Sequence, residues 1–242
     1  MGHSLDIKEV DSFGIPKRYK EALSSFVNGV RELLGGEILL LVLTGSGGRE
    51  EIIDGWSDLD VLIVLNQITR LSLDQIADLV SKSAIKIGTT IYSQAEFERG
   101  ILDSKTVINM EFIRQRILKP IIVHKDLKVR YLTKTSRAKR DKIALPEFLH
   151  ELKRALYNQD TFNVHSVAKT IDTIMKIILR ITKKEMISGY DRVHEEFYKL
   201  FGDCPRVSNV SEVLKKADPQ EYFNQCRDFL EYITSKSFIN NL

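Results

Sequence analysis

Residues 38–43 are all Ile, Leu or Val, and Thr44-Gly45-Ser46-Gly47-Gly48 follows at once. An apolar run this short reads as a strand buried on both faces, closed by a turn that only small residues make. A second strand is expected over 58–65, and a third, rich in Ile and Thr, over 85–92. Helices are expected around them. Pro16 suits a first helical turn, because its missing N–H has no partner there anyway. Tyr19, Leu23, Phe26, Val30 and Leu33 then recur at helical spacing until Gly35-Gly36. Residues 71–83 repeat the pattern with Leu73, Ile76, Leu79 and Val80. Strands interleaved with helices imply an α+β mixed sheet with flanking helices. A short helix near 107–112 and an edge strand near 117–123 complete this half.

The second half differs in pattern and in charge. Residues 1–120 carry 14 Lys+Arg and 17 Asp+Glu, whereas residues 121–242 carry 22 and 16. Residues 125–142 are basic and poor in apolar side chains, which reads as a linker or solvated stretch. Beyond Pro146 the periodicity is helical. Val164, Val167, Ala168, Ile171, Ile174, Met175, Ile178 and Ile181 mark one helix over 162–184. Another runs over 191–201 to Gly202, and two or three more reach Phe238, giving an all-α bundle. The expected domains are therefore 1–124 and 143–242. No apolar run approaches the ~18 residues of a membrane span. The opening residues form no charged-then-apolar leader, and Cys204 and Cys226 match no metal-ligand spacing. A cytoplasmic protein with reduced thiols is expected.

The chemistry concentrates in Gly45-Ser46-Gly47-Gly48-Arg49 and Ser57-Asp58-Leu59-Asp60. Strand residues at i and i+2 share a face, so Asp58 and Asp60 present two carboxylates side by side. Such a pair is unfavourable without a cation. Mg²⁺ is bound through one or two carboxylates plus substrate phosphates. Gly45 and its neighbours leave backbone N–H groups open to phosphate oxygens, with Ser46 and Arg49 as further donors. A phosphate cradle beside a metal-binding pair equips a site for phosphoryl or nucleotidyl transfer. The plainer alternative makes the glycines an ordinary turn and the aspartates solvated. A P-loop is excluded, since no Gly-Lys-Ser/Thr follows, and a Rossmann fingerprint would need a glycine at Glu50.

These segments resemble the nucleotidyltransferase superfamily of the DNA polymerase β type: an apolar strand, Gly-Ser, a gap of about ten residues, then Asp-x-Asp in a strand. The helical half resembles substrate-binding domains of the kanamycin nucleotidyltransferase-like branch, related to HEPN bundles. The resemblance implies an Mg²⁺-dependent enzyme that moves a nucleoside monophosphate from an NTP, ATP included, to an acceptor hydroxyl and releases pyrophosphate. Asp58 and Asp60 would be the catalytic metal ligands, and Gly45, Ser46, Arg49 and Ser57 would serve the nucleotide. The acceptor could be a small molecule, a protein side chain or an RNA end. Active members add a third carboxylate from the third strand, where this chain has Gly88 and Thr90. Glu96 and Glu98 could replace it only if the chain bends back. An inactive nucleotide-binding regulator and an antitoxin-like interaction protein are the rival readings.

Other polar residues have plainer readings. Trp56 is expected to pack its loop, and Ser57 to orient it. His165, Lys169, Asp172 and Lys176 read as a solvated helix face, and His194, beside Glu195 and Glu196, as a surface residue. No His follows His194, which argues against HEPN-type ribonuclease chemistry. Nine Lys+Arg lie over 119–142, but no interleaved aromatics support nucleic-acid binding.

Overall fold

The computed structural model describes residues 10–124, 127–128, 134–158, 162–184, 186–235 and 238. The contacts divide the chain into two compact units, Met1–Leu132 and Thr133–Leu242.

In the first unit, α1 (Lys17–Leu34) starts behind Pro16 and ends at Gly35. It buries Tyr19, Leu23, Phe26, Val27, Val30 and Leu34, one face of its amphipathic period. β1 (Ile38–Thr44) is buried along its whole length, as its continuous apolar run requires. The glycine-rich stretch is one turn of helix, α2 (Gly45–Gly48), rather than an open loop. β2 (Leu59–Leu65) begins one residue after Asp58, so Asp58 stands just before the strand instead of within it. α3 (Arg70–Ser81) is fixed by a reciprocal cap between Thr69 and Ser72. β3 (Ile87–Ser93), α4 (Gln94–Arg99), α5 (Ser104–Arg114) and β4 (Pro120–Val123) follow.

The sheet order is β3-β2-β1-β4. β1 runs antiparallel to β2 and β4, while β2 and β3 are parallel. Leu41, Leu43, Val61, Ile63, Ile87 and Ile91 form the core with α1 and Ile76 of α3. Alternation therefore puts Thr44, Asp60 and Gly88 on the opposite face.

The second unit is helical: α6 (Lys134–Tyr157), α7 (Val164–Lys183), α8 (Tyr190–Leu200), α9 (Val210–Lys216) and α10 (Pro219–Thr234). Residues 134–142, expected to belong to a linker, are the first turns of α6, and Pro146 lies inside that helix. Proline removes one backbone bond, which burial of Ala144, Leu145, Leu152 and Leu156 offsets. The basic stretch also holds Asp141, which is buried and receives Nε (3.0 and 3.1 Å) and Nη2 (2.8 Å) of Arg180. Residues 125–126 and 129–133 of the expected linker lie outside the described residues.

Two expectations of solvation fail here. α7 packs against α6, α8, α9 and α10, so little of its circumference stays wet. His165 and Lys169 are exposed, but Asp172 is buried and sits 2.7 Å from Lys176 Nζ. His194 is only 7% exposed. Its acidic neighbours suggested a surface, but it shares the buried side of α8 with Val193 and Phe197. Burial pushes its pKa down to about 4.

Candidate active site

Antiparallel pairing sets Thr44 opposite Asp60, which joins the end of β1 to the start of β2. The Thr44 hydroxyl donates to the Asp60 carbonyl at 3.2 Å. Gly45 follows with φ +60, a left-handed conformation that glycine adopts without strain. A Cβ here would overlap Asp60 Oδ2 and stand 3.2 Å from its Cγ. The glycine is thus what lets the carboxylate lie against the backbone. Gly48 is equally tight, since a Cβ there would run into the Leu43 carbonyl.

The segment leading to Asp58 is pinned from α1. Buried Tyr19 donates its hydroxyl to the Ser57 carbonyl (3.0 Å) and accepts from the Gly55 N–H (3.2 Å). Arg18 Nε donates to Asp54 Oδ1 at 2.6 Å. The Ser57 hydroxyl accepts from the Ile53 N–H at 2.9 Å, so Ser57 orients the loop. Trp56 is half-buried and turns with it, its N–H donating to the Ile53 carbonyl. Arg49 Nε donates to Glu51 Oε2 at 2.9 Å, and its guanidinium lies over Phe112, so its charge is balanced locally. Ser46 is half-buried and accepts at its carbonyl from the Glu51 N–H.

Asp58 and Asp60 keep 32% and 28% of their side-chain surface exposed, enough to meet a ligand. Each faces a lysine absent from the sequence reading. Lys86 Nζ is 3.9 Å from Asp58 Oδ2, and Lys105 Nζ is 3.2 Å from Asp60 Oδ1. Neither had a sequence signal: one precedes β3 and the other opens α5, and only tertiary pairing brings them here.

Parallel register places Gly88 beside Asp60 and Thr90 beside buried Leu62. Of the two segment positions named above, Gly88 is the one in register with Asp60, and a Cβ there would lie 3.2 Å from Asp60 Oδ1. The two later glutamates do not bend back to it. Glu96 accepts from the Ser93 N–H (2.8 Å) and hydroxyl (2.7 Å), bonds that cap α4 and lower its pKa. Glu98 accepts from Gln94 and from the Lys128 N–H. Among the described residues no three His, Cys, Asp or Glu gather as metal ligands. Two carboxylates suit one hard divalent ion that brings its own phosphate ligands, and do not suit two such ions.

No family model matches the chain, and no curated protein matches it by sequence. Among solved structures it is similar to the spectinomycin adenyltransferase AAD(9) from Enterococcus faecialis, determined with ATP and spectinomycin. The TM-score is 0.54 at 16% identity, over 87% of this chain and 98% of that one. The likeness is one of architecture, and the chain has the α+β nucleotidyltransferase-type fold with a helical C-terminal region.

Proposed function

We propose that the first unit binds an Mg²⁺–NTP complex and that the chain transfers a nucleoside monophosphate from it to an acceptor hydroxyl. The observation that supports this reading is the contact between Gly45 and Asp60, in which a side-chain-free backbone and a carboxylate share one surface. Asp58 and Asp60 would hold one Mg²⁺, which when bound neutralises triphosphate charge and acidifies the acceptor hydroxyl. Gly45 and Ser46 present backbone and hydroxyl donors to the β/γ-phosphates. Arg49 and Ser57 act indirectly, by fixing the segment between the two motifs. The acceptor hydroxyl gives its proton to solvent, its oxygen bonds to the α-phosphorus, the bond to the bridging oxygen breaks, and pyrophosphate leaves. ATP and a small-molecule acceptor are the first choices, because the fold relative was determined with ATP and spectinomycin. The two free cysteines, both buried, suit a cytoplasmic setting.

Gly88 favours a second reading, an NTP-binding regulator with little turnover, because the residue paired with Asp60 on β3 carries no side chain. Two measurements separate the possibilities. Titration calorimetry with Mg·ATP should show binding to the wild type that Asp60→Asn greatly weakens. Equal affinity in the two proteins would overturn the assignment of the site. Pyrophosphate release from each NTP, with candidate acceptors, then distinguishes the enzyme from the regulator.

A further inference from the structure

Lys105 is the nearer of the two lysines at the carboxylates, 3.2 Å from Asp60 against 3.9 Å for Lys86 and Asp58, and its backbone is anchored. Asp103 caps α5 by accepting from the Thr106 N–H (2.9 Å) and hydroxyl (2.7 Å). The Tyr92 hydroxyl of β3 bonds to the same carboxylate, and the Asp103 N–H donates back to that hydroxyl at 3.1 Å. The first turn of α5 is therefore tied to the strand that carries Gly88. From this mount Lys105 reaches Asp60 Oδ1 at 3.2 Å while 61% of its side chain stays in solvent. Gly88 adds no side chain beside that oxygen. An ammonium on a flexible stem, held only at its base, binds carboxylate and phosphate equally well as a point charge.

We propose that Lys105 is a hand-over cation: it neutralises Asp60 in the empty site and moves to the triphosphate when a single Mg²⁺–NTP complex takes the carboxylates. This rests on the reading of Asp58 and Asp60 as the Mg²⁺–NTP ligands. With Asp60 engaged in holding Mg²⁺, the Lys105 ammonium would leave Oδ1 and pair with a phosphate oxygen of the bound nucleotide. Lys105 thereby supplies positive charge where the fold lacks the acidic group for a second metal.

The two roles carry opposite signs in one variant. The test uses the full chain, Mn²⁺ alone followed by electron paramagnetic resonance, and Mn²⁺ with the α,β-methylene analogue of ATP followed by calorimetry. Lys105→Gln should bind Mn²⁺ alone about threefold more tightly, because a competing ion pair is gone. It should bind the Mn²⁺–analogue complex about tenfold more weakly, because a phosphate contact is gone. Lys105→Arg should keep both wild-type values, and the loaded wild type should hold one Mn²⁺ per chain. Unchanged affinities in Lys105→Gln, changes of the same sign, or two Mn²⁺ per loaded chain overturn the proposal. If Asp60→Asn abolishes binding of the complex in those cases, the site assignment stands and only Lys105 fails. If the wild type binds no complex, or Asp60→Asn binds it normally, both fall.

Discussion

Replacing Gly88 by Asp puts an acidic side chain in register with Asp60. Gly88 is not among the positive-φ glycines, so an L residue fits its backbone. The new Cβ would stand 3.2 Å from Asp60 Oδ1, a half-buried carboxylate oxygen already paired with Lys105, so that end must give by a few tenths of an ångström. Two carboxylates about 4 Å apart repel by ~1 kcal/mol in water and by ~4 kcal/mol at the higher effective field of a protein surface. Partial exposure of Asp60 favours the lower end. Removing glycine from a strand returns roughly 0.5–1 kcal/mol. The net loss without metal is at most about 0.5 kcal/mol, which lowers Tm by no more than roughly 1–2 °C in a chain of this size. Metal reverses it. At ten times its dissociation constant a ligand stabilises the folded state by about 1.4 kcal/mol, so millimolar Mn²⁺ should raise the variant above its metal-free Tm by more than it raises the wild type. Thermal unfolding of wild type, Gly88→Ala and Gly88→Asp with and without Mn²⁺ reads this out. Gly88→Ala should show no added response, and Thr90→Asp, opposite buried Leu62, should be destabilised without rescue. The decisive second readout is pyrophosphate release, which Gly88→Asp should increase. A variant that is destabilised, blind to Mn²⁺ and no faster than wild type would refute the placement of the third ligand.

Gly45→Val should abolish Mg·ATP binding, since it forces a branched residue to φ +60 and against Asp60, whereas Ser46→Ala should cost about 1 kcal/mol of binding; calorimetry separates them. Tyr19→Phe removes the bonds to Ser57 and Gly55, so urea unfolding should show about 1–3 kcal/mol lost, with weaker Mg·ATP binding as the Asp58 loop loosens. His194 is held neutral by burial with a depressed pKa of about 4. Its contribution is complete above the unfolded value near 6.5 and is lost as pH falls from there towards 4, roughly 2 kcal/mol by pH 5. Chemical denaturation at pH 7 and pH 5 should show this slope, and His194→Gln should flatten it.

The geometry of the candidate site was legible where one segment determines its own conformation. The apolar run of β1, the glycines behind it and the alternation of β2 each carry their structure locally, so the nearness of Gly45 to Asp60 follows from a single antiparallel pairing. The gap at Gly88 was visible for the same reason: parallel neighbours share a register. Lys105 was not legible, because 45 residues separate it from Asp60 and its reach depends on Tyr92 anchoring Asp103. The same limit explains α6 and α7. A run of lysines and arginines looks solvated until Asp141 meets Arg180, and a polar stripe looks wet until neighbouring helices bury Asp172, although His165 and Lys169 stay exposed. Periodicity identifies the most apolar face of a helix but says nothing of how many other faces will also be covered.

The close fit of Gly45 against Asp60 makes the two positions a mutational pair with a preferred order of change. While the aspartate is present, any side chain at 45 meets it; once residue 60 is shortened to Ser or Gly, the overlap with the carboxylate oxygen is gone, and what remains is the cost of the left-handed backbone and, for Ser, a Cβ 3.3 Å away. A lineage drifting away from nucleotide chemistry along this fold would therefore lose Asp60 first and Gly45 second, and the reverse path would pass through a poorly folded intermediate. In a double-mutant comparison, Gly45→Ala should be tolerated markedly better on an Asp60→Ser background than on the wild type.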